Sequence, residues 1–98
     1  MNEIKELYDA LRRLPFPTLG KRVGDFPLYV SLIAGCADRA SRGEVVSQSE
    51  IAVPDEETAR SVSDLRQKSS TCDEEQAFLA YFDLLERIRL SLLQQGSQ

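Results

Sequence analysis

The run from Thr71 to Gln95 limits the fold of this chain more than any other feature: it has no proline or glycine, and its apolar residues recur at helical spacing. Phe78, Phe82 and Leu85 mark the centre of its apolar face. Leu79 and Leu93 widen that face on one side, and Tyr81, Leu84, Ile88 and Leu92 widen it on the other. At 100° per residue the apolar arc spans roughly 200° or more, against about 100° for an ordinary surface helix. Gln76, Ala80, Asp83, Arg87 and Ser91 form the clear polar strip. Thr71 and Glu74 have the capping-box spacing that opens such a helix. A helix this apolar is either wrapped by the rest of its own chain or shares one flank with another chain. Arg89 falls near the middle of the arc. Either its guanidinium reaches water past the end of the core, or it pairs with a carboxylate, for which Asp38 and Glu50 are the candidates.

The remaining residues supply three more helices and two connections. Ile4, Leu7, Tyr8, Leu11 and Leu14 share one helical face, with acids near the start, Arg12 and Arg13 near the end, and Pro15 and Pro17 as a stop. Asp25 can cap a second helix that tolerates Pro27 in its first turn. Its apolar stripe is Leu28, Tyr29, Leu32, Ile33, Cys36, Ala37 and Ala40, and Gly43 stands where a C-terminal glycine belongs. Gly35 weakens that helix, and together with Ser31 one turn earlier it marks a place for close approach of another backbone. From Glu44 to Val53 the periodicity fails, which predicts a loop pinned by Val45, Val46, Ile51 and Val53. A third helix opens on Asp55, Glu56 and Glu57 and carries the narrow stripe Ala59, Val62 and Leu65; Ser69 and Ser70 end it. The predicted fold is all-α: an irregular four-helix bundle with helices at about 2–14, 26–42, 55–68 and 72–94, and an ordered Pro/Gly loop. At 98 residues this is one domain, 1–98, with 94–98 as a frayed tail.

Several chemistries are disfavoured at once. There is no histidine, which removes the usual acid–base group at neutral pH and the commonest metal ligand. Two distant cysteines, Cys36 and Cys72, cannot complete a structural zinc site. The acidic runs Asp55–Glu57 and Asp73–Glu75 each start a helix, where adjacent carboxylates diverge and compensate the helix dipole. No catalytic, cofactor or metal residue is therefore assigned. A net charge of −4 disfavours nucleic acid as a partner, and a helix-turn-helix would meet phosphate with the acidic start of the last helix. The first residues lack the basic end and apolar core of a signal peptide, and the apolar stretch from Phe26 to Ala37 is too short for a membrane span. Reduced thiols and a cytoplasmic location are expected.

What remains is a surface. Arg12, Arg13, Lys21 and Arg22 have no acid among them until Asp25, and Phe16, Leu19 and Phe26 interleave with that charge. Such a loop can hold an acidic peptide or an RNA backbone; alternatively its apolar residues close the core while its cations stay solvated. The candidate interaction surface comprises Phe16, Leu19, Lys21, Arg22 and Phe26 in the loop, and Leu84, Ile88 and Arg89 on the last helix. The expected function is a non-enzymatic protein-interaction or regulatory module whose partner is a protein or a second copy of the chain. A ligand-binding or carboxylate-using bundle and an acidic inhibitor or nucleic-acid mimic are the alternatives.

Overall fold

The computed structural model describes residues 3–69 and 71–96. Among them are four α-helices and no strand: α1 (Glu3–Arg13), α2 (Phe26–Ser41), α3 (Glu56–Lys68) and α4 (Asp73–Gly96), with 3-10 turns at Thr18–Arg22 and Gln48–Glu50. The all-α bundle expected from periodicity is the observed architecture. The 24 residues of α4 span about 36 Å at 1.5 Å per residue, which accounts for the 39 Å long axis of the molecule. The expected fraying at 94–98 takes a different form: α4 continues through Gln94 and Gln95 to Gly96, and residues 97–98 lie outside the described part.

The broad apolar arc of α4 is wrapped within the chain. Helices α1, α2 and α3 and both 3-10 turns all touch it. Phe78, Tyr81, Phe82, Leu85, Ile88 and Leu92 are buried on it, and Leu79, Leu84 and Leu93 are partly buried. Ser91, assigned from sequence to the polar strip, is also buried. It lines the same cleft as Glu3 and Leu7 of α1, where a small side chain lets the helices approach. The centre of the core is aromatic. Phe26 is fully buried, 4.8 Å from Phe78 between ring centroids and about 6 Å from Phe16, Tyr29, Tyr81 and Phe82.

The ends of the helices follow their sequence signals in most places. Gly43 takes a positive φ of 91°; its N–H donates to the Ala40 carbonyl and that of Glu44 to the Arg39 carbonyl, the paired bonds that close a helix on glycine. At the other end of α2, Asp25 occupies the cap position but its carboxylate makes no capping bond. Its own N–H instead donates to Asp55 Oδ1, at 3.4 Å. Asp55 is the working cap of α3, accepting from the Thr58 N–H. The fully buried Thr58 hydroxyl donates to the Val23 carbonyl, so the start of α3 is latched to the turn before α2. Asp73 is the first residue of α4 and the Cys72 carbonyl accepts from Gln76, one residue later than the Thr71–Glu74 spacing predicts.

Three apolar stripes are corrected. On α1, Leu14 follows the last helical residue and is largely exposed. On α2, the buried stripe is Phe26, Tyr29, Ile33, Cys36, Ala37 and Ala40, while Leu28 and Leu32 face solvent. Each of those leucines is one residue, hence 100°, from Tyr29 or Ile33, and a single buried stripe cannot take both rows. On α3, Thr58 replaces Ala59 in the buried row with Val62 and Leu65. The 44–53 connection is pinned as expected, but by the buried Val46 and Ile51 with Ala52 partly buried beside them; Val45 and Val53 point outward. A reciprocal pair organises it: Glu50 accepts from the Ser47 backbone N–H at 3.0 Å while Ser47 caps the 3-10 turn. Ser69 ends α3 in the left-handed region at φ 52°, and Ser70 lies outside the described residues.

Candidate functional site

The loop and the last-helix residues singled out in the sequence do not form one surface. Phe26 is at the centre of the core, and Phe16 packs over it and against Tyr81 at 5.8 Å from each ring. Leu19 is partly buried beside the core. Phe16 and Leu19 thus pack against the core that Phe26 centres. Gly20 explains how tightly they do so: it is buried, and a Cβ placed on it would lie 2.7 Å from Phe26 Cδ2. With the apolar residues turned inward, Lys21 and Arg22 are left exposed at the end of the 3-10 turn.

Ile88 is fully buried and Leu84 partly buried, so neither offers a free flank on α4. Arg89 is paired, but with neither Asp38 nor Glu50. Its Nη2 donates to Glu86 Oε2 at 2.7 Å, and the Tyr29 hydroxyl donates to Glu86 Oε1 at 2.9 Å. Glu86 thus bridges α2 and α4 through a carboxylate that receives donors from both. Burial, reinforced by the Glu86 carboxylate, pushes the Tyr29 phenol well above the usual tyrosine range. The i,i+3 spacing of Glu86 and Arg89 is legible in the sequence. Tyr29 as the third member is not, because the rotation of α2 against α4 decides it. Asp38 and Glu50 are held by Arg42 and Arg39 respectively.

The charges sort into two populations. Six basic residues make ion pairs: Arg39–Glu50, Arg42–Asp38, Arg60–Glu56, Arg66–Asp83, Lys68–Glu75 and Arg89–Glu86. These break up the acidic surface. Arg12, Arg13, Lys21 and Arg22 have no ion-pair partner among the described residues, and all four are exposed. Arg12 lies over the Tyr8 ring at 5.6 Å. Only the short connection through Pro15 and Pro17 separates the two cationic pairs, and Leu14 and Pro15 are exposed within it. Among the described residues these four cations without an ion pair all lie within positions 12–22, and Arg87 on α4 is an exposed basic residue that also makes none.

Two carboxylates are held below the ordinary range. Hydrogen bonds from Arg39 and Ser47 hold Glu50 at about 2, and bonds led by Thr58 lower Asp55. Both stay ionised at neutral pH and serve as acceptors, the opposite tuning to a general acid. Among the described residues no group of three or more Cys, Asp or Glu side chains is arranged to hold a metal ion. Cys36 is buried, its Sγ donates to the Glu50 carbonyl at 3.6 Å, and burial raises its pKa; Cys72 is exposed, and the two do not pair. No described helix is long and apolar enough to cross a membrane. No protein-family model matches this sequence, and no curated protein or solved structure does.

Proposed function

We propose that the protein is a non-enzymatic interaction module whose basic segment, residues 12–22, docks an acidic segment of a protein partner. The observation that carries this reading is the segregation of charge: half of the basic residues are tied in ion pairs, while Arg12, Arg13, Lys21 and Arg22 remain exposed and in no ion pair, although Asp9 shares a cleft with Arg12 and Arg13. Unpaired surface cations attract an anionic partner and guide its approach. An acidic peptide suits the segment better than single-stranded RNA. RNA bases need exposed aromatic platforms, and Phe16 and Phe26 are committed to the core. Leu14 and Pro15 supply apolar contact between the two cationic pairs. The reading places the chain in the cytoplasm, where Cys36 and Cys72 stay reduced.

The test is fluorescence anisotropy with a labelled peptide of alternating Glu and Leu, a neutral Gln/Leu peptide and a single-stranded RNA as probes. The Glu/Leu peptide is expected to bind, with affinity that falls as salt rises. Lys21→Glu with Arg22→Glu is expected to abolish that binding. Equal affinity of this double variant and the native chain for the acidic peptide would end the proposal, and preference for RNA would transfer the segment to another class of partner.

A further inference from the structure

Helix α2 is amphipathic in the core but not outside it. Its outward face carries Leu28 and Leu32, 57% and 47% exposed and one turn apart, beside Ser31 and Gly35. Ser31, Leu32, Gly35, Cys36, Arg39 and Glu50 line a shallow groove there. Gly35 is the telling residue. Glycine is among the least favourable residues inside a helix, and the usual reason for tolerating it is the close approach of another backbone. Within this chain nothing approaches: a Cβ on Gly35 would meet no atom within 4 Å. No contact within the chain offsets the loss of helix stability at Gly35.

We infer that α2 packs antiparallel against α2 of a second copy, with Leu32 of each chain over Gly35 of the other. The choice of occupant rests on charge order. Asp25, at the N-cap, is an acid whose side chain makes neither a capping bond nor an ion pair. Arg42, at the C-cap, has only an exposed i,i+4 pair with Asp38, a weak and exchangeable contact. The two caps are equally distant in sequence from the midpoint between Leu32 and Gly35. An antiparallel two-fold through that midpoint brings each Asp25 to the Arg42 of the other copy; a parallel pair would set like charge against like. The arrangement is self-complementary and closes on itself, as a two-fold dimer must. One helix face is a small interface, so association belongs in the micromolar range or weaker. This surface is separate from the basic segment and does not depend on its function.

Sedimentation equilibrium over about 1 µM to 1 mM tests the assignment. The native chain is expected to pass from monomer to dimer. Gly35→Gln fills the groove and Leu32→Gln removes the knob; each is expected to weaken association about tenfold or more. Both positions are exposed, and circular dichroism confirms that the variants remain helical. Asp25→Lys alone and Arg42→Glu alone are expected to weaken the dimer, and the double variant to regain it. A native chain that stays monomeric throughout overturns the proposal. So does a dimer indifferent to Gly35→Gln and Leu32→Gln, which would lie on another face, and so does failure of the charge swap to restore association, which would exclude the antiparallel register.

Discussion

Adding one methyl group to Gly20 is expected to be among the more damaging small changes in this protein. The new Cβ would sit 2.7 Å from Phe26 Cδ2, 2.9 Å from Cε2 and 3.3 Å from Phe16 Cε1, where ordinary contact begins at 3.4 Å. The obstructing atoms belong to a fully buried ring in contact with five other aromatic rings, so Phe26 cannot swing aside without disturbing Phe78, Tyr81 and Phe82. Overpacking of this kind costs about 1–3 kcal/mol. The smaller entropy loss of alanine on folding offsets part of that, roughly 0.4–1 kcal/mol. A net destabilisation near 1–2 kcal/mol follows. At about 4–8 °C per kcal/mol for a domain of this size, Tm falls by roughly 5–15 °C. The urea midpoint should drop with the slope unchanged, because the native and unfolded surfaces are the same. Gly35→Ala is the internal control, measured at a concentration where the chain is monomeric. With no atom within 4 Å it should gain roughly 0.5–1 kcal/mol and melt several degrees higher. A Gly20→Ala variant that melts at or above the native chain would refute the close packing of the 3-10 turn on Phe26.

Further predictions concern titration and thiol access. Because the folded-state pKa of Tyr29 is raised by burial and by Glu86, its contribution to stability is complete below the ordinary tyrosine value of 10.0 and is lost as pH rises beyond it; the urea midpoint should fall above pH 10, and less so in Tyr29→Phe. That variant should lose about 1 kcal/mol at neutral pH with the hydroxyl donor to Glu86. Glu50 is shifted the other way, so its contribution is complete above the ordinary value of 4.5 and is lost as pH falls toward about 2; Glu50→Gln should flatten that part of an acid titration followed by circular dichroism. Under native conditions one thiol, Cys72, should react with a maleimide, and Cys36 should react only on unfolding; two fast thiols would contradict the burial of α2.

The last helix shows how far periodicity reaches. Its apolar residues were legible because helical geometry fixes which side chains share a face, and all six that the structure buries on it, from Phe78 to Leu92, lie in the arc read from the sequence. Whether that arc was wrapped or left bare was open, since it depends on the other helices reaching it. The loop divides in the same way. Its cations and its aromatics were both visible, but only packing decided that Phe16, Leu19 and Phe26 face inward while Lys21 and Arg22 remain outside. Leu28 and Leu32 are the converse error: apolar type suggested burial, although a stripe of seven residues on α2 was already too wide for one buried face.

Local chemistry therefore determined the four helices, the glycine stop of α2 and the ordered Pro/Gly connection, because each depends on residues within a turn or two of one another. The tertiary structure decided what depends on rotation and contact between distant segments: the bridge from Tyr29 through Glu86 to Arg89, the Asp55–Asp25 and Thr58–Val23 latch, and the exposure of Lys21 and Arg22 and of Leu28 and Leu32. A helix specifies its own apolar side from sequence, but only the shape of its neighbours determines how much of that side is covered.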